Sequence, residues 1–154
     1  MPEDLYPHAR NLRIGRFSEV GRSYLITLVT YHRRPIFLDF TTSRLLIRQM
    51  RHCTADGLAS SLAWVIMPDH LHWLVTLQHG GLARLVKRLK ARSALLINRH
   101  HTLRGRVWQP GYHDRAVSRE DDARAMARYI VANPLRAGLV KRIADYPHWD
   151  AAWL

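Results

Sequence analysis

The chain has 154 residues, of which 47% are hydrophobic, and this composition is typical of a folded protein rather than a disordered one. Its 24 Lys and Arg residues outnumber 12 Asp and Glu residues, and the formal net charge of +12 indicates a polyanionic partner, with nucleic acid the favoured one. A single cysteine excludes an intramolecular disulfide, and no apolar run approaches the roughly 20 residues that a membrane-spanning helix needs.

The first segment, residues 1–21, is expected to form a basic N-terminal arm ahead of a single domain over residues 22–154. Arg10, Arg13 and Arg16 recur every three residues in the arm, which has little apolar content, and are candidate DNA contacts. The segment also lacks the layout of a signal peptide, so we expect a cytoplasmic protein that does not contact membranes.

Periodic patterns behind the arm predict strands and helices in alternation. The predicted strands are residues 22–32, 60–67, 70–77 and 107–117, and the predicted helices are residues 41–57, 82–97 and 118–133. A capping box of Ser118 and Asp121 is expected to start the last helix, and Pro134 to end it. The order β-α-β-β-α-β-α predicts a single-domain α+β fold, with an antiparallel sheet and helices packed on it.

The helix predicted over residues 82–97 has a basic side opposite its apolar stripe. The residues on that side are Arg84, Lys87, Arg88 and Arg92. Such a face is often only solvated, but no acidic residue occurs in the whole segment 70–113, and this favours a track for DNA phosphates.

Aromatic side chains offer a second kind of contact, because unpaired bases stack on them. Trp73 and Trp108 are candidates for this role. Trp149 and Trp153, near the C-terminus, either contribute to base recognition or close the core beside the last helix.

The second strand of the predicted β-hairpin places two histidines on one of its faces. His70 and His72 are two residues apart, so their side chains project from the same side of the strand. Leu71, Trp73 and Val75 alternate with them and are expected in the core. Two neighbouring imidazoles can bind a divalent cation that polarises a phosphodiester, although histidine pairs without a ligand are also common on strands.

The last predicted helix carries Tyr129 and Asn133, which are four residues apart and share a face. If that face lies over the histidines, Asn133 could supply a third metal ligand and Tyr129 a nucleophile. Mixed nitrogen and oxygen ligation suits Mn²⁺ on softness, whereas cellular abundance favours Mg²⁺. Tyr112 is the next candidate nucleophile, but it adjoins a Pro-Gly break and has no such partner.

Four segments together carry a family resemblance through their order and spacing. They are GRSYLIT (21–27), MPDHLH (67–72), VWQPGYHD (107–114) and YIVANPLRAGLV (129–140). With these segments the sequence resembles, along most of its length, the REP-associated tyrosine transposases, a group of the single-tyrosine HUH transposases.

The resemblance implies a ferredoxin- or RRM-like HUH fold and a metal-dependent endonuclease and strand transferase acting on single-stranded DNA. In that family two histidines bind the metal, expected as Mg²⁺ or Mn²⁺, and a tyrosine attacks DNA at repetitive extragenic (REP) hairpins. The attack leaves a 5′-phosphotyrosine and a free 3′-OH. His70, His72 and Tyr129 inherit these roles, with Asn133 as an auxiliary metal ligand. A monomer is expected, and a dimer is the alternative.

The tyrosine must lose its proton, and His113 and Asp114 are both candidates to assist, between which the sequence does not choose. Two other functions remain open at this point. One is a non-catalytic nucleic-acid-binding α+β module whose histidines only decorate the binding face. The other is a replication initiator or relaxase of the same HUH chemistry, which usually carries further domains.

Overall fold

The computed structural model describes residues 18–153, so Arg10, Arg13 and Arg16 of the predicted arm lie outside the described residues. The strands within this part are β1 (Ser23–Val29), β2 (Ala59–Met67), β3 (His70–Leu77), β4 (His113–Val117) and β5 (Trp149–Ala151). The helices are α1 (Phe40–Ala55), α2 (Leu82–His101), α3 (Glu120–Val131) and α4 (Asn133–Arg136), with 3-10 turns at Tyr31–Arg33, Ile36–Leu38 and Ile143–Asp145. The order agrees with the prediction, and α4 and β5 are additional.

The described strands form one antiparallel sheet in the order β4-β1-β3-β2-β5. β3 is central because it pairs with both β1 and β2, and a tight turn at Pro68 and Asp69 closes the β2–β3 hairpin. The predicted α+β fold with an antiparallel sheet is confirmed. β5 has only three residues, too few for an alternating pattern to be recognised in the sequence.

Helices α1 and α2 cover one face of the sheet. The core on this face includes Ile26, Leu28, Leu46, Leu71, Trp73, Leu85 and Trp108. Trp73 and Trp108 are 1% and 5% exposed, and their indole N–H groups donate to the hydroxyls of Ser61 and Ser93. The expectation that these two indoles stack on bases is therefore wrong, since both rings lie inside the protein.

Helix α3 covers the other face and packs mainly over β2 and β3. Its buried side chains Ala123, Ala127 and Ile130 recur at a spacing of three and four residues, as expected for a helix with one apolar stripe. Trp149 and Trp153 pack against this second cluster, so of the two roles considered for them the closing of the core is confirmed.

Helix α1 has both of the end signals that its sequence suggests. The carboxylate of Asp39 accepts a hydrogen bond from the backbone N–H of Thr42 at 3.2 Å and caps the helix start. Beyond the last turn Gly57 adopts φ +76°, a left-handed conformation that costs glycine little, so the helix ends close to the predicted residue 57.

Helix α2 continues to His101, beyond its predicted end at residue 97. It is the longest helix of the described part and carries basic residues along its length. No helix within residues 18–153 combines the length and the apolar character that crossing a membrane would require.

The boundaries of α3 differ from the prediction at both ends. Arg119 occupies the N-cap position and no side chain caps the helix, so the expected capping box of Ser118 and Asp121 is wrong. The helix stops at Val131, and Pro134 lies in the first turn of α4 instead of ending a helix. Proline is tolerated there because the first turn of a helix leaves its N–H groups without helical acceptors.

Ile130 anchors α3 to the sheet and is 0% exposed. We expect Ile130→Ala to lower the free energy of unfolding by about 2–5 kcal/mol, because it removes buried methyl groups and leaves a cavity. Urea unfolding curves measure the change. The exposed Leu95→Ala is the matched control, expected within about 0.5 kcal/mol of the unsubstituted chain, and equal effects of the two substitutions would contradict the assignment of Ile130 to the core.

Candidate active site

Strand β3 places His70 and His72 side by side on the face that α3 covers. Their ring centroids are 4.7 Å apart and the rings meet edge to face. His72 is 1% exposed, whereas the side chain of His70 is 17% exposed and lies closer to solvent. The expectation that the two imidazoles share one face of the strand is confirmed. Of the two, His72 is the buried one.

One ring nitrogen of each histidine is fixed by a hydrogen bond. Nδ1 of His72 lies 2.8 Å from the hydroxyl of Thr27 on β1, and Nδ1 of His70 lies 2.7 Å from the carboxylate of Asp69. The bond with His70 lowers the pKa of Asp69, so the carboxylate is ionised and accepts the Nδ1–H. Metal-binding histidines are typically held in this way, with the partner setting the orientation and tautomer of the ring.

The environment of His72 keeps its imidazole neutral. Burial lowers the pKa of His72 well below the ordinary histidine value, and electrostatic interactions with His70, Arg136 and His113 act in the same direction. A neutral imidazole is the form that binds a metal ion. His72 is therefore in its ligand form throughout the neutral pH range.

The polypeptide after α3 brings Asn133 to this pair of histidines. The amide Nδ2 of Asn133 lies 3.5 Å from Nε2 of His70, and the residue is buried. A half-turn of the amide group would present its oxygen at the same position instead. The structure thus joins Asn133 to the paired histidines, as the sequence suggested.

Tyr129 lies in the last turn of α3, four residues before Asn133, and its side chain is half-buried. The guanidinium carbon of Arg136 lies 3.8 Å from the centroid of the tyrosine ring, a cation–π contact. The charge of Arg136 also influences His72. The tyrosine, the arginine and the histidines consequently belong to one electrostatic neighbourhood.

The strand pairing places His113 and Asp114, the two candidates to assist deprotonation of the tyrosine, on opposite faces of the sheet. His113 on β4 lies opposite Thr27 on β1, which in turn lies opposite His72 on β3, so the three residues form one row on the same face. Asp114 lies opposite Ile26, whose side chain belongs to the core under α1 and α2. The structure brings His113 towards the paired histidines and places Asp114 on the other face.

The basic residues of α2 are not brought to this site. Arg84, Lys87 and Arg92 are exposed, and Arg88 forms an ion pair with Asp56. Their helix belongs to the layer on the opposite face of the sheet. Any contact of these residues with DNA would therefore be made away from the histidine pair.

Three neighbours of the site were not predicted as functional residues. Asp69 and Arg136 occur within the family motifs, but nothing in the sequence says which side chains they touch. Thr27 is a polar residue within an otherwise apolar strand, which is a signal that it serves a buried polar partner.

The site contains the ligand types that a divalent metal ion takes. His70 and His72 offer nitrogen, and Asn133 offers an amide oxygen beside them. Three protein ligands leave coordination positions for phosphate oxygens, as in catalytic metal sites generally. The residues present consequently fit a catalytic divalent ion.

The buried imidazoles predict a loss of stability in acid. The unfolded chain takes up protons on His72 and His148 below about pH 6.5, whereas burial lowers the pKa of each in the fold. The free energy of unfolding should thus decrease below that pH, by up to about 1.4 kcal/mol per pH unit for each histidine. Urea unfolding across this range measures the slope. The decrease of the unfolding free energy with falling pH should be shallower in His72→Asn than in the unsubstituted chain, and unchanged in the exposed control His79→Asn. An unaltered slope in His72→Asn would contradict the lowered pKa of His72.

Comparisons with known proteins identify the family of this chain. The family model for IS200-like transposases matches residues 20–133. A REP-associated tyrosine transposase of Escherichia coli K12 is 31% identical over 146 residues, which cover 89% of this chain and 83% of the relative.

Two solved structures are similar as well. A REP-associated tyrosine transposase bound to a REP hairpin has a TM-score of 0.73 and 26% identity, covering 87% of this chain and 79% of that one. A candidate transposase from Deinococcus radiodurans R1 has a TM-score of 0.53 and 26% identity, covering 77% of this chain and 95% of that one. This chain belongs to the IS200-like transposase family and, within it, to the REP-associated tyrosine transposases.

Proposed function

We propose that this transposase cleaves and rejoins single-stranded DNA at REP-type hairpins, with Tyr129 as the nucleophile. We assign the divalent metal that the family implies to His70, His72 and Asn133. The observation that carries the proposal is the approach of Asn133 to Nε2 of His70, because it brings the segment that contains Tyr129 to the paired histidines.

The donor set supports this metal assignment. The two Nδ1 atoms are engaged by Asp69 and Thr27, which orients both Nε2 atoms for a ligand. When bound, the ion polarises the scissile phosphodiester and holds it in place. The mixed set of imidazole nitrogen and amide oxygen suits Mn²⁺ on softness, whereas cellular abundance is what favours Mg²⁺.

The covalent step follows from the chemistry of tyrosine. The oxygen of Tyr129 attacks the phosphorus, a P–O bond to the enzyme forms, and the bond to the DNA 3′ oxygen breaks. The products are a 5′-phosphotyrosine and a 3′ oxygen, which takes up a proton to become a 3′-OH. Because a phosphodiester is kept throughout, the reverse attack by a 3′-OH rejoins strands without ATP.

Two neighbours assist this step in the proposal. Arg136 holds the ring of Tyr129 by stacking on it and brings positive charge close to the phosphate under attack. A tyrosine hydroxyl normally retains its proton at neutral pH, with a pKa of about 10 in model peptides. We assign His113 as the group that assists its removal, since it shares the face of the paired histidines.

The DNA partner is supported by charge and by relatives. The net charge of +12 suits a polyanion, and a similar transposase is bound to a REP hairpin. We infer that Arg84, Lys87, Arg88 and Arg92 contact phosphates, and that Arg10, Arg13 and Arg16 contribute to base recognition. An arm over residues 1–21 before a domain of residues 22–154, a monomeric state and a cytoplasmic location stay predictions.

Tyr129→Phe should abolish a covalent protein–DNA species while hairpin binding survives, because only the nucleophilic oxygen is removed. Labelled REP hairpin is incubated with Mn²⁺, and a denaturing gel resolves the adduct. Tyr112→Phe is the matched control and should retain it. Undiminished adduct in Tyr129→Phe would refute the assignment of the nucleophile, and hairpin binding without metal-dependent cleavage by the unsubstituted chain would favour a non-catalytic binding module.

Neutralising Arg84, Lys87 and Arg92 together by Gln substitutions should weaken hairpin binding and flatten its salt dependence. The slope of log K against log salt should decrease by about 0.9 for each duplex phosphate that the variant no longer neutralises. Fluorescence anisotropy at several salt concentrations measures the slope. The matched control replaces three exposed arginines of α1 by Gln and removes the same total charge; these are Arg44, Arg48 and Arg51. Equal weakening in both triple variants would argue against a specific track on α2.

A further inference from the structure

We propose that Asp39, His100 and His101 form a second metal site, which takes a divalent ion of the zinc class. Asp39 lies at the start of α1, and the two histidines end α2. Both helices cover the sheet face opposite to His70 and His72. The proposal is thus independent of the catalytic assignment.

The three side chains converge on a small volume. One ligand atom from each lies within 4.8 Å of the others. Nε2 of His100 is 3.0 Å from Oδ2 of Asp39, and Nε2 of His101 is 3.8 Å from the same oxygen. These separations are close to the spacing of ligands around one ion with metal–ligand bonds of about 2 Å, so binding requires only small side-chain movements.

The convergence of adjacent helical residues is itself informative. Successive side chains on an α-helix point about 100° apart, since the helix has about 3.6 residues per turn. The ring centroids of His100 and His101 are nevertheless only 4.8 Å apart, and both rings direct Nε2 towards one carboxylate oxygen. The two rings therefore present their Nε2 atoms to one shared oxygen, as ligands of a single ion would.

Thr42 completes the arrangement. Its hydroxyl donates to Oδ2 of Asp39 at 2.6 Å, and the same hydroxyl oxygen lies 2.7 Å from Nε2 of His101. The hydroxyl oxygen or a water molecule can occupy the fourth position of a tetrahedral ion.

The donor types select the class of ion. Two imidazole nitrogens and one carboxylate oxygen are ligands of Zn²⁺ and its neighbours Co²⁺ and Ni²⁺. Mg²⁺ and Ca²⁺ favour sites made of oxygen ligands and match this set poorly. We therefore commit to Zn²⁺, with Co²⁺ as a spectroscopic substitute.

The test titrates the full chain, after treatment with EDTA and dialysis, with Zn²⁺ in a calorimeter. His101→Gln and Asp39→Asn should each lose one equivalent of bound Zn²⁺, while His52→Gln, an exposed histidine on α1, loses none. Asparagine still caps a helix, so Asp39→Asn should remain folded. Zinc should also raise the thermal unfolding midpoint of the unsubstituted chain more than that of His101→Gln.

A second arm separates this site from the catalytic one. His70→Gln should retain the equivalent that His101→Gln loses, and its Co²⁺ complex should keep the visible absorption of a tetrahedral ion. Identical zinc stoichiometry and identical thermal shifts in the unsubstituted chain, Asp39→Asn and His101→Gln would overturn the proposal. Such a result would not affect the assignment of Tyr129 as the nucleophile, because the covalent adduct tests that assignment separately.

Discussion

The burial of β3 on both of its faces is the constraint on which the site depends. Leu71 and Val75 point into the core under α1 and α2, while His72 points into the layer beneath α3. A charged imidazole in that layer would be costly, and the hydrogen bond with Thr27 engages Nδ1 of the neutral ring. The central strand therefore holds a neutral, oriented imidazole because of the same packing that stabilises the sheet.

The second helical layer supplies the remaining functional groups. α3 approaches the sheet through Ala123 and Ala127, and small side chains allow close contact at these positions. The break at Ala132 then starts a new short helix, in which Asn133 reaches His70 and Arg136 lies over Tyr129. The sequence predicts one uninterrupted helix over residues 118–133. The break after Val131 instead places Asn133 and Arg136 in a separate short helix, from which they contact His70 and Tyr129.

The two faces of the sheet differ in chemistry although both are packed by helices. The catalytic groups proposed here lie beneath α3, whereas the basic side of α2 and the cluster around Asp39 lie across the sheet. This separation means that the phosphate contacts proposed for α2 and the covalent chemistry proposed for Tyr129 can be tested independently. It also allows a bound ion at Asp39 to link the start of α1 and the end of α2 without touching the histidine pair.

Local patterns in the sequence determined most of the fold and the identity of the candidate site residues. Alternation in β3 assigned His70 and His72 to one face, and the helical stripes of α1 and α2 were evident, because both signals depend on neighbours within a few residues. The capping of α3, the strand β5 and the question of which residue, His113 or Asp114, faces the histidines depended on the tertiary structure. So did the partners of His72 and Tyr129, since hydrogen bonds and stacking between distant segments are set by how helices and strands pack.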